Sequence, residues 1–425
     1  MKRNTMALVL AGGLTLATST SAQGPTGPVI QVGVDLVRID AVITDAKGQP
    51  VSDLRPEDFT LTVDGKKVPI ANSAFFRGSP AQASAMDPGA TPVAGHANDR
   101  ERSLIFLIDD LNISFGSMYS AKRALKAFAG GWDSREAMIG VRLTSDRTDT
   151  IKLSRKPEKL AAALEGVRFN IMSDMGMSSG PAYNMASLGG IASTVVDRGW
   201  RSTPDISPIG SNPAIVRENF HQRIFSLVAT INALRSIPGR KSVVFVSEGL
   251  TVGRDRTSLG IDSPFDRLFD DSSIDSSLRM ITEVANRASV VVYTIDPGGL
   301  VSDAPGADVA YAPSMEQRSF AALSRMDVQQ TLRRLAEDTG GLSVFNRNDL
   351  KRGLHDVVED QRSYYLIGFE PPLSAFEKSS GKPKFHKIKL TTNRKDLRVR
   401  TRAGFYGVTD EEVLQRAPLM KAPTP

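Results

Sequence analysis

The segment Arg102-Ser-Leu-Ile-Phe-Leu-Ile-Asp-Asp-Leu-Asn-Ile-Ser114 restricts the fold more than any other part of the chain. Leu104 to Ile108 is apolar without alternation, so a strand here must be covered on both faces, as in a parallel sheet flanked by helices. The run stops at two carboxylates, Asp109 and Asp110, followed by Asn112, Ser114 and a helical pattern. Oxygen-bearing side chains are thereby collected at the carboxyl end of a central strand, where open α/β sheets place their ligands. An all-oxygen set of this kind suits a hard divalent cation such as Mg²⁺.

Strands and helices alternate from 102 to about 346. Met118, Ala121, Leu125 and Phe128 mark one face of a first helix. Strands Ala137–Thr144 and Thr150–Leu153 are separated by a short polar turn, which favours an antiparallel hairpin. Pro157 suits the first turn of a helix carrying Leu160, Leu164 and Val167. Asn212 and Pro213 open the best helical pattern, with Val216, Phe220, Ile224, Leu227, Val228, Ile231 and Leu234 in register. Strand Ser242–Ser247, a helix near 274–288, strand Ser289–Ile295, a helix near 327–338 and strand Leu342–Phe345 follow. Asn348 is placed to cap a last helix with Leu350, Leu354, Val357 and Val358 inward. Residues 170–211 and 297–325 break the pattern and read as long loops, the first a functional insertion or a disordered stretch.

Both ends of the chain have β patterns. Val34 to Ile43 and Phe59-Thr-Leu-Thr-Val63 precede the α/β region, with Asp64-Gly65 as a hairpin signal. Ser363–Phe369, Phe385–Thr392 and Leu397–Tyr406 follow it. Neither end alone has enough strands for a two-sheet core. The economical arrangement is one small β-sandwich built from both ends, with a doubly wound, mostly parallel α/β domain inserted in it. The expected boundaries are a β segment at 28–77, a linker at 78–101, the α/β domain at 102–360, a second β segment at 361–408 and a tail at 409–425.

Met-Lys-Arg followed by an apolar stretch and Ser-Thr-Ser-Ala-Gln reads as a signal peptide, residues 1–22, cleaved after Ala22; the competing reading is an uncleaved anchor helix, for which the apolar run is short. The expected location is periplasmic or secreted. No later segment reads as membrane-spanning. The absence of cysteine excludes disulfides and thiolate chemistry. The formal net charge is +6. The one basic cluster, Lys395 to Arg402, reads as a solvated strand face rather than a nucleic-acid contact.

Several blocks together resemble the von Willebrand factor A-related domain family frequent in acidobacterial genomes. They are Phe106-Leu-Ile-Asp-Asp-Leu-Asn112, Gly239-Arg-Lys-Ser-Val-Val-Phe-Val-Ser-Glu-Gly249, Val291-Val-Tyr-Thr-Ile-Asp-Pro297, Leu335-Ala-Glu-Asp-Thr-Gly-Gly341 with Asn348-Asp-Leu350, and Tyr364-Tyr-Leu-Ile-Gly-Phe-Glu-Pro371. The resemblance implies a Rossmann-like sheet with one antiparallel edge strand. It also implies a metal-ion-dependent adhesion site of the form Asp-x-Ser-x-Ser, a distant Thr and a further Asp. With Asp109 first, Leu111 and Ile113 fall on the serine positions. Moved by one residue, Asp110, Asn112 and Ser114 supply three oxygen donors. Ser247-Glu248-Gly249 stands where the family has Thr-Asp-Gly, so Glu248 would complete the set, and Thr203 or Ser211 are candidates for the Thr. The competing reading is that Asp109, Asp110 or Asn112 only cap the free amides of the next helix.

The resulting expectation is an exported, non-enzymatic, monomeric adhesion or scaffolding protein. It would bind a protein partner, not nucleic acid, at the top of the α/β domain, with Mg²⁺ or a similar ion as cofactor. The alternative is an envelope serine hydrolase using Ser247. That serine lacks the first Gly of a nucleophile elbow, and by chain order only His355 or His386 could serve it. No zinc, phosphate-loop or dinucleotide motif is present.

Overall fold

A computed structural model describes residues 37–77, 102–132, 137–148, 150–170, 213–237, 239–250, 264–300, 315–376 and 384–406. Four strands come first: β1 (Val37–Thr44), β2 (Phe59–Val63), β3 (Lys66–Val68) and β4 (Ile70–Arg77). Then come β5 (Arg102–Ile108), α1 (Phe115–Gly130), β6 (Met138–Leu143), α2 (Pro157–Gly166), α3 (Pro213–Leu234) and β7 (Arg240–Val246). Next are α4 (Pro264–Ala288), β8 (Val290–Ile295), α5 (Met315–Thr339), β9 (Ser343–Val344) and α6 (Leu350–Arg362). The chain closes with β10 (Ser363–Phe369), β11 (Phe385–Thr392), β12 (Arg398–Thr401) and β13 (Gly404–Tyr406). The expected signal peptide, linker, insertion and tail lie outside the described residues, as do Asn212, Thr203 and Ser211.

Strands β6-β5-β7-β8-β9 form a five-stranded sheet, and every neighbouring pair is parallel. Leu104, Phe106 and Ile108 pack with α1, α2 and α6 on one face, while Ile105 and Leu107 pack with α3, α4 and α5 on the other. This double burial is why β5 is apolar at every position from 104 to 108. The strand order reverses between β5 and β7. Such a reversal opens a crevice at the carboxyl ends of the two strands, because the connecting helices depart to opposite faces.

The strands before the parallel sheet pair with the strands after it, in two antiparallel sheets ordered β12-β1-β10-β4 and β13-β11-β2-β3. Ile39 lies opposite Ile367, Phe75 opposite Tyr365, and Leu61 opposite Leu390. Inward residues of both sheets share one core that includes Ile39, Leu61, Tyr365, Phe369 and Ile388. Asp64 and Gly65 both have positive φ, 49° and 81°, and make the expected turn between β2 and β3.

The structure departs from the sequence reading at several points. Residues 150–153 form no strand. Only the bridge Ile139–Ser154 joins this segment antiparallel to β6. Arg142 donates to the carbonyls of Asp146 and Thr148, which draws the turn away from a ladder, and the Lys152 carbonyl presses against Gly140. Helix α4 begins at Pro264 and α5 at Met315, so the two loops after β7 and β8 are shorter than expected. The N-cap of α6 is Asp349, which accepts from the Arg352 amide at 3.1 Å. Asn348 instead accepts from the Leu300 amide at 2.8 Å, tying two loops together.

The basic cluster is a solvated face only in part: Lys395 and Arg398 are exposed. Arg402 is buried and donates to the carbonyls of Asn286 (2.8 Å) and Arg38 (2.9 Å), while Arg400 pairs with Asp360. With Arg240 these side chains fill the junction between the parallel sheet and the antiparallel strands. No helix among the described residues is long and apolar enough to cross a membrane.

Candidate functional site at the strand tips

The first residue beyond each of the four longer parallel strands extends the ladder by one rung. The amide of Thr144 donates to Ile108 O (3.0 Å), Asp109 to Val246 O (2.9 Å), Ser247 to Ile295 O (3.0 Å) and Asp296 to Val344 O (2.8 Å). Thr144, Asp109, Ser247 and Asp296 therefore form a row of oxygen-bearing side chains across the crevice. The tips of β5 and β7 are direct neighbours, as the sequence reading required.

Asp109 is at the centre of this row with no solvent exposure. Ser247 Oγ donates to its Oδ2 at 2.6 Å, and Thr144 Oγ1 lies 3.0 Å from its Oδ1. Side chains alternate faces along a strand, so Asp109 points, like Leu107 and Ile105, toward α3. There it meets Arg223, also fully buried, with Nη1 3.6 Å from Asp109 Oδ2. The same nitrogen donates to Gly249 O at 3.0 Å. Asn112 Nδ2 donates to that carbonyl at 2.6 Å. Burial pushes the Asp109 carboxyl up to about 6, against the opposing pull of Arg223 and of the Ser247 and Thr144 hydroxyls.

Glu248 is one residue further on and so faces α1. Its Oε2 accepts from the Ser114 amide at 2.8 Å, and its Oε1 accepts from Ser114 Oγ at 3.0 Å and from Ser117 Oγ. Ser114 is the N-cap of α1, accepting from Ser117 N at 3.3 Å. A carboxylate at this helix end is favoured by the free amides and the dipole. Burial raises the Glu248 carboxyl above its ordinary range; the Ser117 and Ser114 bonds oppose this, and nearby Asp296 adds to it. Asp296 is raised too, by burial first, while the Gly298 amide donates to it at 2.8 Å.

Asp110 turns toward the end of β6. It accepts from Ser145 N at 2.9 Å, from Ser145 Oγ at 2.5 Å and from Thr144 Oγ1 at 3.0 Å. The candidate ligands are thus divided. Asp110 serves the β6 turn, Ser114 joins Glu248 over α1, Asn112 holds the Gly249 carbonyl, and Asp109 faces α3. Residues 110–114 lie beyond the end of β5 in a turn, where each side chain answers a different neighbour, so the shifted set does not gather at one point.

These residues do not fit the divalent ion that the family resemblance implies. In the register that begins at Asp109, Leu111 and Ile113 are buried apolar side chains. The carboxylates of Asp109, Asp110 and Glu248 are each occupied by protein donors, and a guanidinium stands beside Asp109. Among the described residues no group of three or more His, Asp or Glu side chains is placed to hold an ion.

Sequence reasoning missed Arg223, Thr144, Ser145 and Ser117. A signal for Arg223 was available, because it is three residues after Phe220 and four before Leu227 on the apolar face of α3. Thr144 was legible only as a strand end. As for the alternative nucleophile, Ser247 Oγ is buried and engaged by Asp109 and Gly249. His386 pairs with Asp64 at 2.8 Å in the antiparallel sheets, and His355 is exposed on α6 beside Glu359. His221 stacks edge-on against Phe220.

The fold is an open, doubly wound α/β sheet accompanied by two antiparallel sheets, consistent with a Rossmann-like architecture. No family model matches the chain, and no curated protein matches it. Among solved structures, the human COPII-coat protein Sec24c is similar over 72% of this chain, at 10% identity and a TM-score of 0.27. The likeness spans 43% of that protein's chain and is too distant to bear on function.

Proposed function

We propose that this is an exported, non-enzymatic interaction protein. Its von Willebrand factor A-like domain, inserted in a β-sandwich made from both ends of the chain, binds a protein partner at the carboxyl edge of the parallel sheet. The observation that carries the reading is the contrast at that edge. The polar groups of the strand tips are consumed internally, while large apolar side chains stand outside. Phe115 and Tyr119, in the first turns of α1, are 50% and 63% exposed, and Leu300, after β8, is 64% exposed. Phe115 is braced edge-on by Phe169, with ring centroids 5.5 Å apart. Exposed aromatic side chains on a rigid helix end are the side chains that anchor protein interfaces.

The test is site-specific photo-crosslinking. A photoreactive residue at Arg123, exposed one turn beyond Tyr119 on α1, captures a defined partner in the native envelope, and one at Lys389, on the exposed face of β11, does not. Tyr119→Ala and Phe115→Ala abolish capture in the correctly folded chain. Equal labelling from both positions would remove this edge as the binding surface. Export predicts a mature chain beginning at Gln23, read by N-terminal sequencing.

A further inference from the structure

We infer that Arg223 is the resident cation of the strand-tip crevice, taking the place beside Asp109 that a divalent ion would fill, so that the loop after β7 is held without metal. The inference concerns how the crevice is built and stands whether or not the edge above it binds a partner.

A fully buried carboxylate needs a countercharge or hydrogen-bond donors in a fixed arrangement. Asp109 has one hydroxyl donor of its own, Ser247, a second, Thr144, that it shares with Asp110, and one cation, Arg223 at 3.6 Å. The arginine is itself without solvent exposure, in the middle of the helix face that covers the sheet, with its guanidinium 5.6 Å from the Phe220 ring centroid. A buried arginine on a covered helix face is retained only where its charge is answered.

The geometry also gives it a second task. Nη1 reaches Gly249 O at 3.0 Å, on the carbonyl that Asn112 holds from the β5–α1 turn at 2.6 Å. Arg223 therefore links α3, the tip of β5 and the loop after β7, which is what a shared ion does in a coordination shell. A divalent ion at Asp109 would sit against this guanidinium and repel it, and the neighbouring Leu111 and Ile113 offer no oxygen to repay the cost.

The test uses the full mature chain. Mn²⁺ added to the wild-type protein keeps its free-ion electron paramagnetic resonance signal, and Tm is the same in chelator and in Mg²⁺. Stoichiometric Mn²⁺ binding that disappears in Asp109→Asn would overturn the inference. Arg223→Met lowers Tm by roughly 6–20 °C, the range expected when a buried charge loses its partner. The double variant Asp109→Asn/Arg223→Met loses less than Arg223→Met alone, because no charge is left unanswered. If Arg223→Met does not fold, recovery of folded protein in the double variant gives the same answer. A double variant at least as damaged as the single one would overturn the pairing.

Discussion

Glu248 caps helix α1 from a different strand: its carboxylate receives the backbone amide of Ser114 at 2.8 Å and the Ser114 hydroxyl at 3.0 Å. The tip of β7 is thereby fastened to the helix that follows β5, across 134 residues of sequence. Removing the acceptor strands one amide and two hydroxyls in a half-buried site. Glu248→Ala is expected to cost about 2–3 kcal/mol in urea unfolding. Glu248→Gln, which keeps one acceptor oxygen, is expected to cost less than half as much. Equal losses for the two variants would show that charge, rather than hydrogen-bond acceptance, fixes the cap.

Gly249 sits at φ +124°, and a Cβ placed on it would lie 2.1 Å from Val328 Cγ1 on α5. Both the backbone region and the contact exclude a side chain. Gly249→Ala is expected to destabilise by about 3 kcal/mol or more. Adding Val328→Ala relieves the collision but not the dihedral strain, so the pair should recover only part of the loss. Full recovery would assign the whole constraint to Val328.

Much of this arrangement is legible in the sequence. The unbroken apolar run 104–108 predicted a doubly covered strand, and it alternates between the two cores residue by residue. The neighbouring tips of β5 and β7 are implied by the family resemblance, not by the apolar run itself. Direction of approach was not readable. Asp109 and Asp110 are both acids at one strand end, yet one faces a buried arginine and the other a turn. Their roles depend on which face α3 covers, and that is a property of the sheet order. The 150–153 segment misled for a similar reason. Its residues suit a strand, but Arg142 claims its turn carbonyls, and a side chain-to-backbone bond of this kind carries no periodicity.

The Asp109 carboxyl should make the chain more stable in mild acid. Its folded-state value is about 6 against an ordinary 3.8, so between those values the folded chain holds a proton that the unfolded chain has released. Stability then falls as pH rises through that window, by about 3 kcal/mol for this group. Glu248 and Asp296, raised by burial, act in the same direction. Asp53 and Asp64, lowered by bonds from Arg394 and from His386 and Lys387, act in the opposite one. Comparing wild type with Asp109→Asn isolates the first effect. Urea midpoints from pH 4 to 7.5 are expected to converge for the two proteins at acid pH, apart from a constant offset, and the wild type alone should lose the Asp109 contribution toward neutrality. Parallel curves would place that titration outside this window.

Asp360, on α6, is the hinge of the junction between the parallel sheet and the antiparallel strands. It pairs with Arg400 of β12 and accepts from Tyr293 Oη of β8 at 2.7 Å. Arg240 lies 3.9 Å from it and 3.8 Å from Asp40 of β1, with its guanidinium 4.2 Å above the Tyr364 ring. Two arginines, one from each side of the junction, thus meet at one buried carboxylate, and Arg240 has a second in Asp40. Neutralising it leaves two desolvated cations short of countercharge, the situation in which removal of one partner costs about 3–5 kcal/mol. Because the lost contacts are those that join the two parts, the damage should appear as reduced cooperativity as well as reduced stability. Calorimetry of Asp360→Asn is expected to resolve two transitions where the wild type shows one. A single transition merely shifted downward would mean that β1 pairing with β10, directly continuous with α6, couples the two parts without the charge cluster.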